Sequence, residues 1–132
     1  MLPWTLWQFG RIVSDFAEAA DGDLWAEMEA RLFSLMEQGN ALGWPASEPV
    51  GDKTGLFALR ARSNVAQGRL FYFFLSGRRI VFVHSVPMKK QRAFERHDID
   101  IAVKRKRLIE NADLLTSMVT PFQVQPNDHQ TH

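Results

Sequence analysis

Gly55-Leu-Phe-Ala-Leu-Arg-Ala-Arg-Ser-Asn-Val-Ala-Gln-Gly-Arg-Leu-Phe-Tyr-Phe-Phe-Leu-Ser-Gly-Arg-Arg-Ile-Val-Phe-Val-His84 reads as three strands in succession. Aromatic and β-branched residues fill the runs, and turn-forming residues punctuate them. Leu56 to Arg62 alternates with a period of two, so Phe57, Leu59 and Ala61 face one way and Arg60 and Arg62 the other. Ser63 to Gly68 is a turn, Arg69 to Leu75 a strand, Ser76 to Arg79 a tight turn, and Ile80 to His84 a further strand. Consecutive strands joined by short turns predict an antiparallel meander.

Upstream, Gly43 to Gly55 is broken by prolines and glycines and reads as a surface loop. Asp21-Gly-Asp23 starts a helix that carries Leu24, Met28, Leu32 and Leu35 on one stripe. Arg11 to Ala20 reads as a shorter helix, and Trp4 to Phe9 as a short strand. Downstream, Val86 to Phe94 is a basic connection, Glu95 to about Met118 a helix, and the chain from Val119 a frayed tail. The expected fold class is α+β. An antiparallel sheet of three to four strands carries the two N-terminal helices on one face, with a C-terminal helix and a basic second face or rim. Residues 1–118 form one domain and 119–132 its tail. Met28, Leu32, Phe57, Leu59, Phe71, Phe73 and Phe82 are expected to share one core.

A chain of 132 residues, 45% hydrophobic and 23% charged, is one domain that can bury a core without staples. The absence of cysteine excludes disulfides, thiolate metal sites and cysteine nucleophiles together. Histidines and carboxylates show no metal-ligand spacing, so neither metal nor cofactor is expected. No apolar run reaches membrane-spanning length, and the opening residues lack the pattern of a signal peptide, which points to a cytoplasmic protein and no membrane partner. The net charge of +1 hides an asymmetry. Residues 1–55 hold nine acids and three bases (net −6), and residues 56–132 hold thirteen bases and six acids (net +7). A basic half set against an acidic one suits a polyanionic partner, with plain solubility patterning as the alternative.

In order, the words Gly55-Leu-Phe-Ala-Leu-Arg60, Arg69-Leu-Phe-Tyr72, Gly77-Arg-Arg-Ile-Val-Phe-Val-His84, Lys89-Lys90 and Asp98-Ile-Asp-Ile-Ala102 resemble the phage-derived HigB-like branch of the RelE/ParE toxin superfamily. About half of the chain carries this resemblance. It departs where Gly68, Ala93, Phe94 and Glu95 stand in place of the usual tyrosine and the lysine-threonine-proline turn, and by one additional residue between His84 and the lysine pair. The resemblance implies a RelE-like fold and the toxin of a type II toxin-antitoxin pair. Its partners would be messenger RNA on the ribosome and a cognate, helix-turn-helix antitoxin. The implied chemistry is metal-independent RNA cleavage by 2′-hydroxyl attack. The rival is a non-enzymatic protein of the same superfamily that inhibits a host protein, as ParE-like gyrase inhibitors do.

Such a reaction needs a base, cations for the phosphoryl oxygens and an acid for the leaving oxygen. Arginine offers a permanent planar fork, and a lysine crowded by cations moves a proton more readily. Arg60, Arg69, Lys89, Lys90 and Arg92 are therefore the catalytic candidates, against the alternative of a solvated cationic strand edge. His84 either joins them as acid or base or caps the apolar core. Arg62 and the run Lys104-Arg-Lys-Arg107 are candidates for phosphate-backbone contact: Lys104, Arg105, Lys106 and Arg107 span one helical turn and point several ways.

Overall fold

The computed structural model describes residues 2–88, 96–111 and 118–124. The strands are β1 (Thr5–Phe9), β2 (Ser47–Val50), β3 (Leu56–Arg62), β4 (Gln67–Leu75), β5 (Arg79–Met88) and β6 (Val119–Phe122). The helices are α1 (Ile12–Ala19), α2 (Gly22–Gln38) and α3 (Arg96–Asn111), with a 3-10 turn at Gly39–Ala41. The strands form one sheet in the order β2-β3-β4-β5-β1-β6. The expected β3-β4-β5 meander is its centre, antiparallel throughout. β1 joins β5 in parallel and β6 closes the far edge antiparallel to β1, so the sheet is mixed and six-stranded rather than antiparallel with three to four strands.

Both additional strands lie where the sequence reads as irregular. β2 falls within the Pro- and Gly-rich stretch from Gly43 to Gly55, and β6 begins at Val119, the first residue of the expected frayed tail. Each has four residues and one proline, Pro49 or Pro121. Proline is tolerated at a sheet edge because its missing N–H faces outward, and short proline-bearing edges resist further pairing. α3 is described from Arg96 to Asn111; Glu95 and residues 112–117 of the expected helix lie outside the described residues, and Met118, its expected end, stands in a turn before β6.

The sheet has two covered faces and therefore two cores. α1 and α2 bury Val13, Phe16, Leu24, Met28, Leu32 and Leu35 against Leu6, Leu59, Leu70, Tyr72, Ile80 and Phe82. α3 lays Ala102 and Ile109 on the opposite face against Ala58, Phe71, Phe73, Val81 and Val83. The expected single core is thus divided, with Phe71 and Phe73 on the α3 side and Phe82, Leu59, Met28 and Leu32 on the other. Phe57 is only partly buried. The second face is not simply basic, because much of it is apolar and lies beneath α3. Unbroken burial from Leu70 to Phe73 and from Ile80 to Val83 is the mark of strands covered on both sides.

Buried polar groups fix the helices to this sheet. Arg11, before α1, makes no side-chain cap; Gln8 of β1 takes that role, its Oε1 accepting from the N–H groups of Val13 at 2.9 Å and Ser14 at 3.1 Å. Asp21 caps α2 by accepting from Leu24 N–H at 3.1 Å, and also accepts from the Ser63 hydroxyl at 3.1 Å, which ties α2 to the β3-β4 turn. Gly39 ends α2 at φ +53°, with the Trp4 indole where a Cβ would stand. Among the described residues, no helix is long and apolar enough to cross a membrane.

Candidate functional site

Arg60 and Arg69 are directly opposed residues of β3 and β4, on the α3 face of the sheet. Strand alternation puts them there. Their chain neighbours Leu59 and Leu70, themselves a register pair, enter the α1-α2 core, so the arginines take the other side. Arg69 is buried, and its register partner on β5 is Val86 of the α3-side core. Arg60 is half-buried, with Nη1 3.4 Å from Glu48 Oε2 and its guanidinium 4.5 Å from the centre of the Trp44 ring.

His84 reaches the same face through a defect in β5. The β4-β5 register pairs Tyr72 with Phe82 but Phe71 with His84, which leaves Val83 without a partner in β4. This β-bulge turns His84 to the side of Val83 instead of the side of Phe82. The His84 ring meets Phe71 edge-on at 5.6 Å, and its Nε2 lies 2.9 Å from Oδ1 of Asp98 in the first turn of α3. The bulge is held from α3 as well: Arg105 Nη1 donates to the Val83 carbonyl at 2.7 Å while its guanidinium lies 5.0 Å from the Phe9 ring centre. Burial lowers the Arg105 pKa from the ordinary arginine value.

The structure distributes the remaining candidates unevenly. Arg62 is exposed at the end of β3, opposite Gln67. Lys104 and Arg107 are exposed, whereas Arg105 and Lys106 turn inward. Lys106 Nζ is 3.0 Å from Glu110 Oε2 and 5.6 Å from the Phe73 ring centre. The four-residue run therefore presents two solvent-facing cations, and its other two members brace α3 against the sheet. Lys89, Lys90 and Arg92, with Ala93, Phe94 and Glu95, lie outside the described residues. Clefts of about 770 and 620 Å³ flank α3, and neither is lined by Arg60, Arg69 or His84.

Gly68 clarifies one departure from the toxin pattern. It is opposite Ala61 on the α1-α2 face, and a Cβ built there would overlap the Phe16 ring. A side chain at this position would point away from Arg60 and Arg69, so the glycine reflects packing under Phe16 and leaves the arginine face unchanged. Sequence reasoning missed three neighbours of the arginine face: Glu48, Trp44 and Asp98. Glu48 and Trp44 lie in a stretch that reads as loop. Asp98 lies within a quoted motif but is 14 positions from His84, and only the bulge brings the two together.

The family model described as phage-derived protein Gp49-like (DUF891) matches residues 15–107, from within α1 to within α3, leaving out β1 and β6. No curated protein matches the chain. The matched residues are well over half of the chain and include Arg60, Arg69, His84 and Asp98, and on that match the chain belongs to the phage-derived Gp49-like family, a RelE/toxin-like family.

Proposed function

We propose that this protein is the toxin of a type II toxin-antitoxin pair and that it cleaves ribosome-bound messenger RNA at the Arg60–Arg69 face. The observation that carries the reading is the direct opposition of two arginines on one covered sheet face, with His84 diagonal to Arg69 on the next strand. Planar guanidinium forks set side by side on one face suit the oxygens of a single phosphate.

In the proposed reaction the 2′-oxygen bonds to phosphorus and the P–O5′ bond breaks. The 2′-hydroxyl proton passes to a base and a second proton goes to the leaving oxygen, giving a 2′,3′-cyclic phosphate and a 5′-hydroxyl. His84 is the assigned base. A carboxylate against Nε2 favours the tautomer protonated there and leaves the Nδ1 lone pair to accept a proton. Arg60 and Arg69 take the charge that builds on the phosphoryl oxygens. A helix-turn-helix antitoxin is the proposed neutralising partner.

The test adds purified protein to translating ribosomes and maps the transcript ends. Cutting should persist in EDTA wherever ribosomes stay intact, and deoxyribose at the scissile position should abolish it. Arg69→Lys, which keeps the charge and loses the fork, should raise the barrier by about 2–4 kcal/mol. Intact transcripts, together with toxicity that survives both Arg69→Lys and His84→Gln, would replace this reading with that of a protein-binding inhibitor.

A further inference from the structure

A cavity of about 280 Å³ lies beside the arginine face, at the corner where α2, the Trp44–Pro45 segment and the end of β3 meet. The β2-β3 register ends at Ser47 and Leu59, so Ala61 and Arg62 have no β2 partner among the described residues, and the cavity opens along that strand end. Three guanidinium groups, Arg31, Arg60 and Arg62, line it against one carboxylate, Glu27. Arg31 Nη2 is 3.3 Å from Glu27, while Arg31 Nε is buried and finds no hydrogen-bond partner among the described residues.

Trp44 supplies the second half of the site. It is 71% exposed, the most exposed large apolar side chain of the described residues, and Arg60 lies 4.5 Å from one face of its ring. The indole is thus backed by a cation on one face and open to solvent. An aromatic platform set among arginines is the arrangement that binds single-stranded nucleic acid, because every base has a π face to stack and every nucleotide carries a phosphate. The volume is just under the ~300 Å³ at which small-ligand pockets begin, so it suits one nucleotide and not a folded RNA element.

We infer that this cavity is a nucleotide subsite for single-stranded RNA, with a base stacked on Trp44 and its phosphate held by Arg31 and Arg62. The choice of RNA as the strand rests on the nuclease reading above. Arg60 adjoins both sites, since it faces Arg69 across the strands and stacks on Trp44. A nucleotide adjacent to the scissile one would therefore be gripped here and would set the register of cutting.

The probe is a labelled 2′-O-methyl RNA tetranucleotide, which has no free 2′-hydroxyl and so reports binding alone, followed by fluorescence anisotropy. Trp44→Leu should weaken binding about tenfold or more, and Trp44→Phe should keep it within about threefold of the parent. Arg31→Gln should lower the slope of log affinity against log salt by about 0.7, one phosphate contact on a single strand. Thermal unfolding of the Trp44 variants should match the parent, because the side chain is exposed. Trp44→Leu binding within about twofold of the parent would overturn the inference, as would a salt slope left unchanged by both Arg31→Gln and Arg62→Gln. The two readings fail separately. A protein that leaves transcripts intact on ribosomes yet binds the tetranucleotide through Trp44 keeps this site and loses the nuclease; one that cuts with Trp44-independent binding does the reverse.

Discussion

Gly68 and Phe16 show how one pair of residues sets the packing of α1 on the sheet. Phe16 is 1% exposed and occupies the space a side chain at 68 would need, so Gly68→Ala forces the ring or the helix to move. Overpacking of this kind should cost about 1–3 kcal/mol in urea unfolding, and Phe16→Leu in the same chain should recover part of it. An unchanged midpoint for Gly68→Ala would show that the ring has room. Tyr72 carries a second residue-scale prediction. Burial pushes its hydroxyl up to about 12, with the 2.5 Å bond to Ser47 acting in the opposite direction. Below the ordinary tyrosine value of 10.0, folded and unfolded chains both keep the proton and this group makes no pH dependence. Between about pH 10 and 12 the unfolded chain releases it and the folded chain does not, so stability falls by about 1.4 kcal/mol per pH unit. The parent should lose stability more steeply than Tyr72→Phe across that window; parallel curves would mean that the phenol titrates normally.

At the level of elements, the bulge in β5 decides what His84 can do. Alternation along Ile80 to His84 puts the histidine on the side of Phe82, in the α1-α2 core, and no residue in the run announces the insertion that reverses it. The device is tertiary: α3 crosses the strand, Arg105 takes the carbonyl of Val83, and Asp98 receives the histidine. Arg105→Ala should leave that carbonyl without its donor and cost about 1–3 kcal/mol. Amide exchange should quicken around Val83 and His84, and on the proposed function RNA cleavage should fall with it. Exchange rates equal to the parent's would show that the bulge stands without its brace. The basic run in α3 illustrates the same limit. Four consecutive cations are plain in the sequence, but which two turn inward depends on where the sheet and Glu110 lie.

On the scale of the whole molecule, the sheet is closed by two short edges, and the C-terminal one belongs to the fold. Val119 is 3% exposed, and Phe122 pairs with Leu6 and meets the Trp25 ring at 6.4 Å. A chain ending at Met118 should lose about 3 kcal/mol or more of stability and expose the β1 edge to pairing with other chains. Denaturant unfolding and light scattering check both effects, and equal stability with no self-association would return Val119–Phe122 to the status of a tail. The central meander, the α2 stripe, the cap at Asp21 and the opposed charges of the two halves were determined by the sequence alone. Each rests on local periodicity, on a turn or cap residue, or on a simple count. The edge strands, the division into two cores, the turning of His84 toward Asp98 and the meeting of Trp44 with Arg60 were decided only by the tertiary structure. The physical reason is common to all four. A short strand draws its stability from the neighbour it pairs with, a covered face from the helix that lies on it, and a side-chain contact from chain segments that periodicity cannot relate.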